Sequence, residues 1–420
     1  MFHRFVPLVV VLTLLAGATA LRSQRRDAFV VTRDHPAIGY SSAPVSEAIT
    51  ELNARLASGA DTFAFDEKSG YLPAVLRALQ LPVSSQALVF SQTSFQAPLI
   101  NMHNPRAVFF NDTTAVGWVR GGTVLEVATV DPRQGVIFYA LDQQRVAKPQ
   151  FRRDDQCLAC HLSWDTLGVP GLLLTSMFPL PDDPNAYANG FTTVQGSPLE
   201  QRFGGWWVTG DAGGAPHMGN VPVMPSDKKW KIPTPTRPLT SVEGLFDLAG
   251  YPSPYSDVVS QLVLAHQTRM TNLITRTGWE ARLAAAQPSA DASARVREAA
   301  ADLVDYLLFV DEAPLPHPVH GMSGFAEQFA AVGPRDAQGR SLRDFDLQRR
   351  LFRYPCSYMI YSKAFDAMPP AAKSAVYARL QVVLAGRDAA PRYRILTPAD
   401  RRAVLDILRA TKPDLPAELR

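Results

Sequence analysis

One pentapeptide, Cys157-Leu158-Ala159-Cys160-His161, constrains this chain more than any other stretch of it. Two thiols three residues apart, with an imidazole directly after the second, lie within one turn of backbone and can grip one rigid object together. The surrounding text, from Phe151 to Pro235, consists of short apolar runs broken by Gly and Pro. Such a segment wraps around something rather than folding on its own periodicity. Covalent haem attachment needs this set: two thiols that add across the porphyrin vinyls and an imidazole that reaches the iron from the same turn. The expectation is one haem c, with Cys157, Cys160 and His161 as cofactor-binding residues and His161 as the proximal iron ligand. Asp154-Asp155 just upstream supplies a cap for a short helix. A structural zinc site would need four ligands, yet Cys356 is the one other cysteine in the chain. A thioredoxin-like CxxC belongs in a βαβ context, which this proline-rich neighbourhood does not resemble. Cys356 has no partner and is expected to pack as a buried thiol.

The sixth iron position has several candidates. His217 and Met218 lie in the loop Gly213 to Asn220, 56 residues beyond His161 in the case of His217, and Met224 stands before a proline at 63. His217 ranks first, because its Gly-Gly and Gly-Asn flanks let backbone approach a flat ring closely. Met224, Met218 and His266 are the alternatives, although His266, on the apolar face of a helix, reads better as a satisfied core histidine. Gly204-Gly205-Trp206-Trp207 reads as a strand that lets the chain come close to a flat ligand or as ordinary core. His317 and His320, flanked by prolines, read as surface loop. His103 and Arg106 are candidates for contact with a haem propionate, with a structural turn as the plainer reading.

The periodicity gives an α+β chain. Val45, Ile49, Leu52 and Leu56 mark a helix over 46–56, and residues 71–79 form another. Between Arg106 and Leu141, β-rich runs separated by Asn111-Asp112, Gly121-Gly122 and Asp131 to Gly135 predict an antiparallel meander. From Ser256 the chain is mainly helical. Val259, Leu262, Val263, His266, Met270 and Leu273 share one face, a second helix spans 291–309, and a third spans 371–385 and stops at Gly386. Thr397-Pro398-Ala399-Asp400 announces a final helix with a capping box and proline at its first position. The organisation expected is a signal peptide at 1–20, an α+β region at 21–150, a loop-rich haem-binding region at 151–235 and a helical region at 236–420.

Residues 1–20 carry His3 and Arg4, an apolar run from Phe5 to Leu15 and the small-x-small close Ala18-Thr19-Ala20, which together read as an export signal. The apolar run falls short of the roughly 20 residues a membrane span needs. The expected location is the periplasm or outside the cell, where c-type haem is attached, with no strong membrane signal once the leader is removed. Across 420 residues a net charge of +3 offers no field for nucleic acid. No nucleophile triad, phosphate loop or paired catalytic carboxylate stands out.

The pentapeptide is shared with c-type cytochromes, and the wider text resembles a family of exported bacterial single-haem proteins. The resemblance rests on Ser91 to Ser94, Asn104 to Asp112, Cys157 to Pro170, Arg202 to Gly210, His217 to Asn220, His266 to Arg276 and Tyr354 to Ser362. It implies haem and export. One CxxCH separates the chain from the bacterial dihaem cytochrome c peroxidases, so a two-haem peroxidase mechanism is not expected. The function expected is electron transfer to and from a redox partner protein. The alternatives are a haem oxidoreductase, whether peroxidase, oxidase or oxygenase, with an open distal site, or a haem-based sensor, since a carrier of on the order of 100 residues would be a domain of ordinary size and this chain is four times longer.

Overall fold

A computed structural model describes residues 29, 31–177, 190–221 and 238–420. The export signal expected at 1–20 and the candidate ligand Met224 lie outside the described residues. The chain is α+β: an antiparallel sheet of seven strands in the N-terminal half and a helical C-terminal part.

The helices α1 (Ala48–Ser58) and α2 (Leu72–Ala78) precede the body of the sheet. Gly59 ends α1 in the left-handed conformation, at φ 80°, a position that favours glycine. Strands β2 (Arg106–Phe110), β3 (Thr114–Trp118), β4 (Val124–Asp131) and β5 (Gly135–Asp142) form the meander read from the sequence, and β1 (Ala87–Val89), which the sequence reading did not include, pairs with β2. The two-residue strand β6 (Arg152–Arg153) extends one edge, and β9 (Trp206–Trp207) closes the other against β1, giving the order β6-β5-β4-β3-β2-β1-β9. A separate ribbon pairs β7 (Thr175–Ser176) with β8 (Phe191–Thr192). The pentapeptide sits between β6 and β7 as a single helical turn, α3 (Leu158–His161).

The register assigns side chains to faces, because successive strand residues point to opposite sides. On one face Ala107, Phe109, Val116, Leu125, Val127, Ile137, Tyr139 and Leu141 are buried and pack with Ile49 and Leu52 of α1 and Leu72 of α2. The opposite face carries Arg106, Val108, Gly117, Glu126, Ala128, Phe138 and Ala140. Along β4 the alternation is visible in exposure: Leu125 and Val127 are fully buried, whereas Val124, Glu126 and Val130 are half-buried.

The helix α4 (Val258–Ala286) crosses this second side. Asp257 caps it, one carboxylate oxygen accepting from the Val259 and Ser260 amides at 2.8 and 3.1 Å. The sequence pattern predicts one apolar face, but the helix is buried almost all round. It lies between sheet and helices: α5 (Ala290–Leu307), α6 (Phe325–Ala330), α7 (Lys363–Asp366) and α8 (Pro370–Leu384) pack around it. Burial of polar residues on the added faces is tolerated because the hydroxyls of Thr271, Thr275 and Thr277 donate to carbonyls one turn back, at 2.8 to 2.9 Å. The last helix, α9 (Pro398–Thr411), opens with the reciprocal capping box between Thr397 and Asp400.

Candidate metal centre

Asp154 accepts the Gln156 amide at 3.0 Å and starts a short turn that runs through Cys157 into α3. Leu158 is the buried residue of α3 and fastens it to the sheet-side core, with Cys157 packed against the margin of that core. Cys157 is half-buried and Cys160 exposed, and both are free thiols. Burial, with the negative charges of Asp154 and Glu126 behind it, pushes the Cys157 thiol up to about 12. A redox-active CxxC depends on the opposite shift, toward thiolate. Among the described residues, no group of three or more His, Cys, Asp or Glu is gathered closely enough to hold a bare metal ion. The direction of the Cys157 shift weighs against the thioredoxin reading of the pair.

His161 is oriented by the backbone. Its Nδ1 lies 2.8 Å from the Gly171 carbonyl, which can only accept, so Nδ1 carries the proton and Nε2 keeps its lone pair. Burial holds the ring below the usual histidine range, and neutral imidazole is the form that ligates metal. A backbone carbonyl on the far nitrogen is the usual device that fixes tautomer and ring direction in a metal-binding histidine. The carbonyl is itself pinned: Gly171 N–H donates to His161 O at 3.0 Å, and Asn272 of α4 makes two bonds to Leu172, at 3.1 and 2.7 Å. A Cβ on Gly171 would collide with the Asn272 side chain. Phe138 of β5 supports the His161 ring at 4.8 Å between centroids.

The distal candidates are differently placed. His217 is half-buried against the edge of Phe203, and its Nδ1 accepts the Gly219 amide at 3.1 Å. Burial keeps this ring neutral, so its proton resides on Nε2, the reverse of His161. To ligate iron through Nε2 the ring must give up the Gly219 bond. Met218 is buried, with its sulfur 3.7 Å from the Ser176 hydroxyl. Ser176 lies five residues past Gly171, so at most roughly 18 Å of chain separates this loop's contact from the carbonyl that holds His161. His266 is 0% exposed, with Nδ1 donating to Gln195 Oε1 at 2.8 Å and Nε2 accepting the Ser357 hydroxyl at 2.7 Å. It is stacked between Tyr306 and Phe309 and has no lone pair to offer. It is a satisfied core histidine.

Trp206 and Trp207 are both buried, one on each side of the sheet edge strand β9. Cys356 is a fully buried free thiol, pushed far above its ordinary range by burial. His103 is exposed and meets the Leu245 carbonyl at 3.3 Å, on a turn between Asn101 and Asn104. Arg106 is not in a turn. It stands on β2, facing the side of the sheet on which the pentapeptide lies, and donates from Nη1 to Glu126 Oε2 at 2.7 Å. Sequence reasoning missed Gly171, Asn272, Phe138 and Glu126. The alternation of β4 and β5 held the signal for the last two, whereas nothing local marks the others.

A groove of about 560 Å³, lined by Asp66, Leu72, Arg77, Leu81 and Tyr251 among others, shares no residue with the pentapeptide or the His217 loop. Neither a scan against protein-family models nor searches of curated proteins and of solved structures found a match to this chain.

Proposed function

We propose that the chain is an exported mono-haem c-type cytochrome that transfers electrons to and from a redox partner protein. The observation that supports this reading is the Gly171 carbonyl on His161 Nδ1, beside two free thiols on one turn. That arrangement leaves Nε2 as a ready ligand and has no evident structural use for the cysteines. In maturation each thiol would add its sulfur and hydrogen across one vinyl double bond, forming a thioether with no leaving group. When bound, haem supplies one-electron chemistry at iron. The chain's own part is to hold the ring by Cys157 and Cys160, to ligate through His161 and to keep that imidazole neutral and correctly turned.

The test is to produce the protein in an exporting host with a haem-attachment system and treat it with acidified acetone after denaturation. Haem should stay with the polypeptide, and Cys157→Ala or Cys160→Ala should leave a single linkage. Complete extraction from the wild type would overturn the reading.

A six-coordinate carrier takes its distal ligand from the loop with His217, which then surrenders the Gly219 amide; Met218 and Met224 are the alternatives. A second reading, a haem oxidoreductase or sensor with an open distal site, draws on the occupied Nδ1 of His217 and the engaged sulfur of Met218. Carbon monoxide separates the two, since binding to the reduced wild type requires an open or displaceable position. If His217 is the ligand, His217→Ala converts a low-spin ferric spectrum to high-spin.

A further inference from the structure

The Arg106–Glu126 pair sits on the sheet face next to the pentapeptide and is only half provided for. Glu126 is well served: its Oε1 accepts from the Ser94 hydroxyl at 2.5 Å and from Gln96 Nε2 at 3.1 Å, while Oε2 takes Arg106 Nη1 at 2.7 Å. Desolvation opposes its charge, but Arg106 and these donors hold it below the usual carboxylate range. Arg106 is not well served. Its Nε is buried and, among the described residues, has no hydrogen-bond partner, although a buried guanidinium N–H left unpaired is costly and is normally met by an acceptor.

Three observations place this donor beside the candidate haem. Phe138, which supports His161, projects from the same sheet face as Glu126, one strand away and one pair of residues along. The charges of Arg106 and Glu126 are both felt at His161. The charge of Glu126 is felt at Cys157 as well. A ring fixed by Cys157, Cys160 and His161 would therefore lie on the sheet face from which Phe138, Glu126 and Arg106 project. Each haem carries two carboxylates, and guanidinium is the side chain whose planar donors match a carboxylate.

We propose that Arg106 anchors a haem propionate, its free Nε–H donating to the carboxylate while Nη1 remains on Glu126. The proposal rests on the haem-binding reading above and adds the residue that holds the cofactor's acidic edge. Glu126, Ser94 and Gln96 are positioning residues that fix the guanidinium so that Nε, rather than Nη1, faces the ring.

The experiment uses the haem-loaded full chain, with Arg106→Met and Arg106→Lys. The readouts are the propionate bending band in resonance Raman and the midpoint potential as a function of pH. A cation beside the haem favours the reduced state, which carries one more negative charge, and holds the propionate ionised. Arg106→Met should lower the potential, move the propionate-linked inflection to higher pH and shift the bending band. Arg106→Lys should recover most of the potential but not the band, since a point charge does not reproduce the Nε–H contact. A wild-type band and inflection in both variants would overturn the proposal and leave the haem reading intact. Absence of covalent haem from the wild type would overturn both. If Arg106→Met does not fold, a crystal structure of the loaded wild type decides: a propionate oxygen within hydrogen-bond distance of Nε supports the assignment, and propionates turned away from β2 exclude it.

Discussion

At the scale of single residues, the two histidines that matter most differ in which nitrogen holds the proton. His161 gives its Nδ1 proton to Gly171 and keeps Nε2 for iron; His217 accepts at Nδ1 and is protonated at Nε2. The first state depends on a glycine. Gly171→Ala puts a methyl group against Asn272, so either the Leu172 clamp or the Gly171 carbonyl must move. The variant should retain both thioether linkages, as judged by mass, but show a broadened or shifted ferric spectrum with a weaker proximal bond. A spectrum identical to the wild type would show that the carbonyl does not govern the imidazole. His266 allows a second prediction, on stability. Burial pushes its pKa down to about 3, below the 6.5 of an unfolded histidine, so between these values the unfolded chain takes a proton that the folded chain refuses. Its contribution is complete above pH 6.5 and is lost as pH falls, at up to about 1.4 kcal/mol per unit. Denaturant unfolding of wild type and His266→Gln should therefore show a stability difference that grows from pH 5 to 6.5 and levels off above; a difference independent of pH would contradict the assignment.

At the scale of elements, α4 is the member on which the others are arranged, and its N-terminus is secured beyond an ordinary cap. Asp257 Oδ1 caps the helix, while Oδ2 accepts the Met322 and Ser323 amides at 2.6 and 2.9 Å, tying the chain before α6 to the start of α4. The residue is fully buried, so its removal strands several amide donors. Asp257→Ala should cost roughly 3–5 kcal/mol, summed from a lost cap and unpaired buried N–H groups, as read from urea unfolding. Thr397→Ala removes an exposed capping box and should cost only about 1 kcal/mol. Equal effects from the two would mean that the second pair of Asp257 bonds contributes nothing.

At the scale of the whole molecule, the sheet half and the helical half share buried apolar side chains. One apolar cluster joins Ala87, Val89, Phe110 and Trp206 of the sheet half to Leu262, Val263, Leu303 and Leu380 of the helical half, and Trp279 of α4 belongs to a second cluster together with Phe138 and Leu158. A fragment of residues 256–420 would expose the side of α4 that faces the sheet. It is expected to be poorly soluble and to lack a cooperative thermal transition by circular dichroism, whereas the full chain unfolds with one. Cooperative melting of the fragment would show that the helical half stands alone.

By itself the sequence determined what depends on short-range chemistry: the CxxCH set, the strands of the meander and their turns, the Thr397 capping box and the glycine after α8. Each of these is a relation among residues a few positions apart, fixed by backbone geometry that any context would share. The tertiary structure alone decided which histidine lone pair is free, that α4 is buried nearly all round, and that Arg106 belongs to a sheet face rather than a turn. It also brought Gly171, Asn272 and Phe138 to His161 across separations of 10, 111 and 23 residues. Those relations arise from strand register and helix packing, which local spacing does not encode, and a single carbonyl placed by them sets the tautomer on which the candidate metal centre depends.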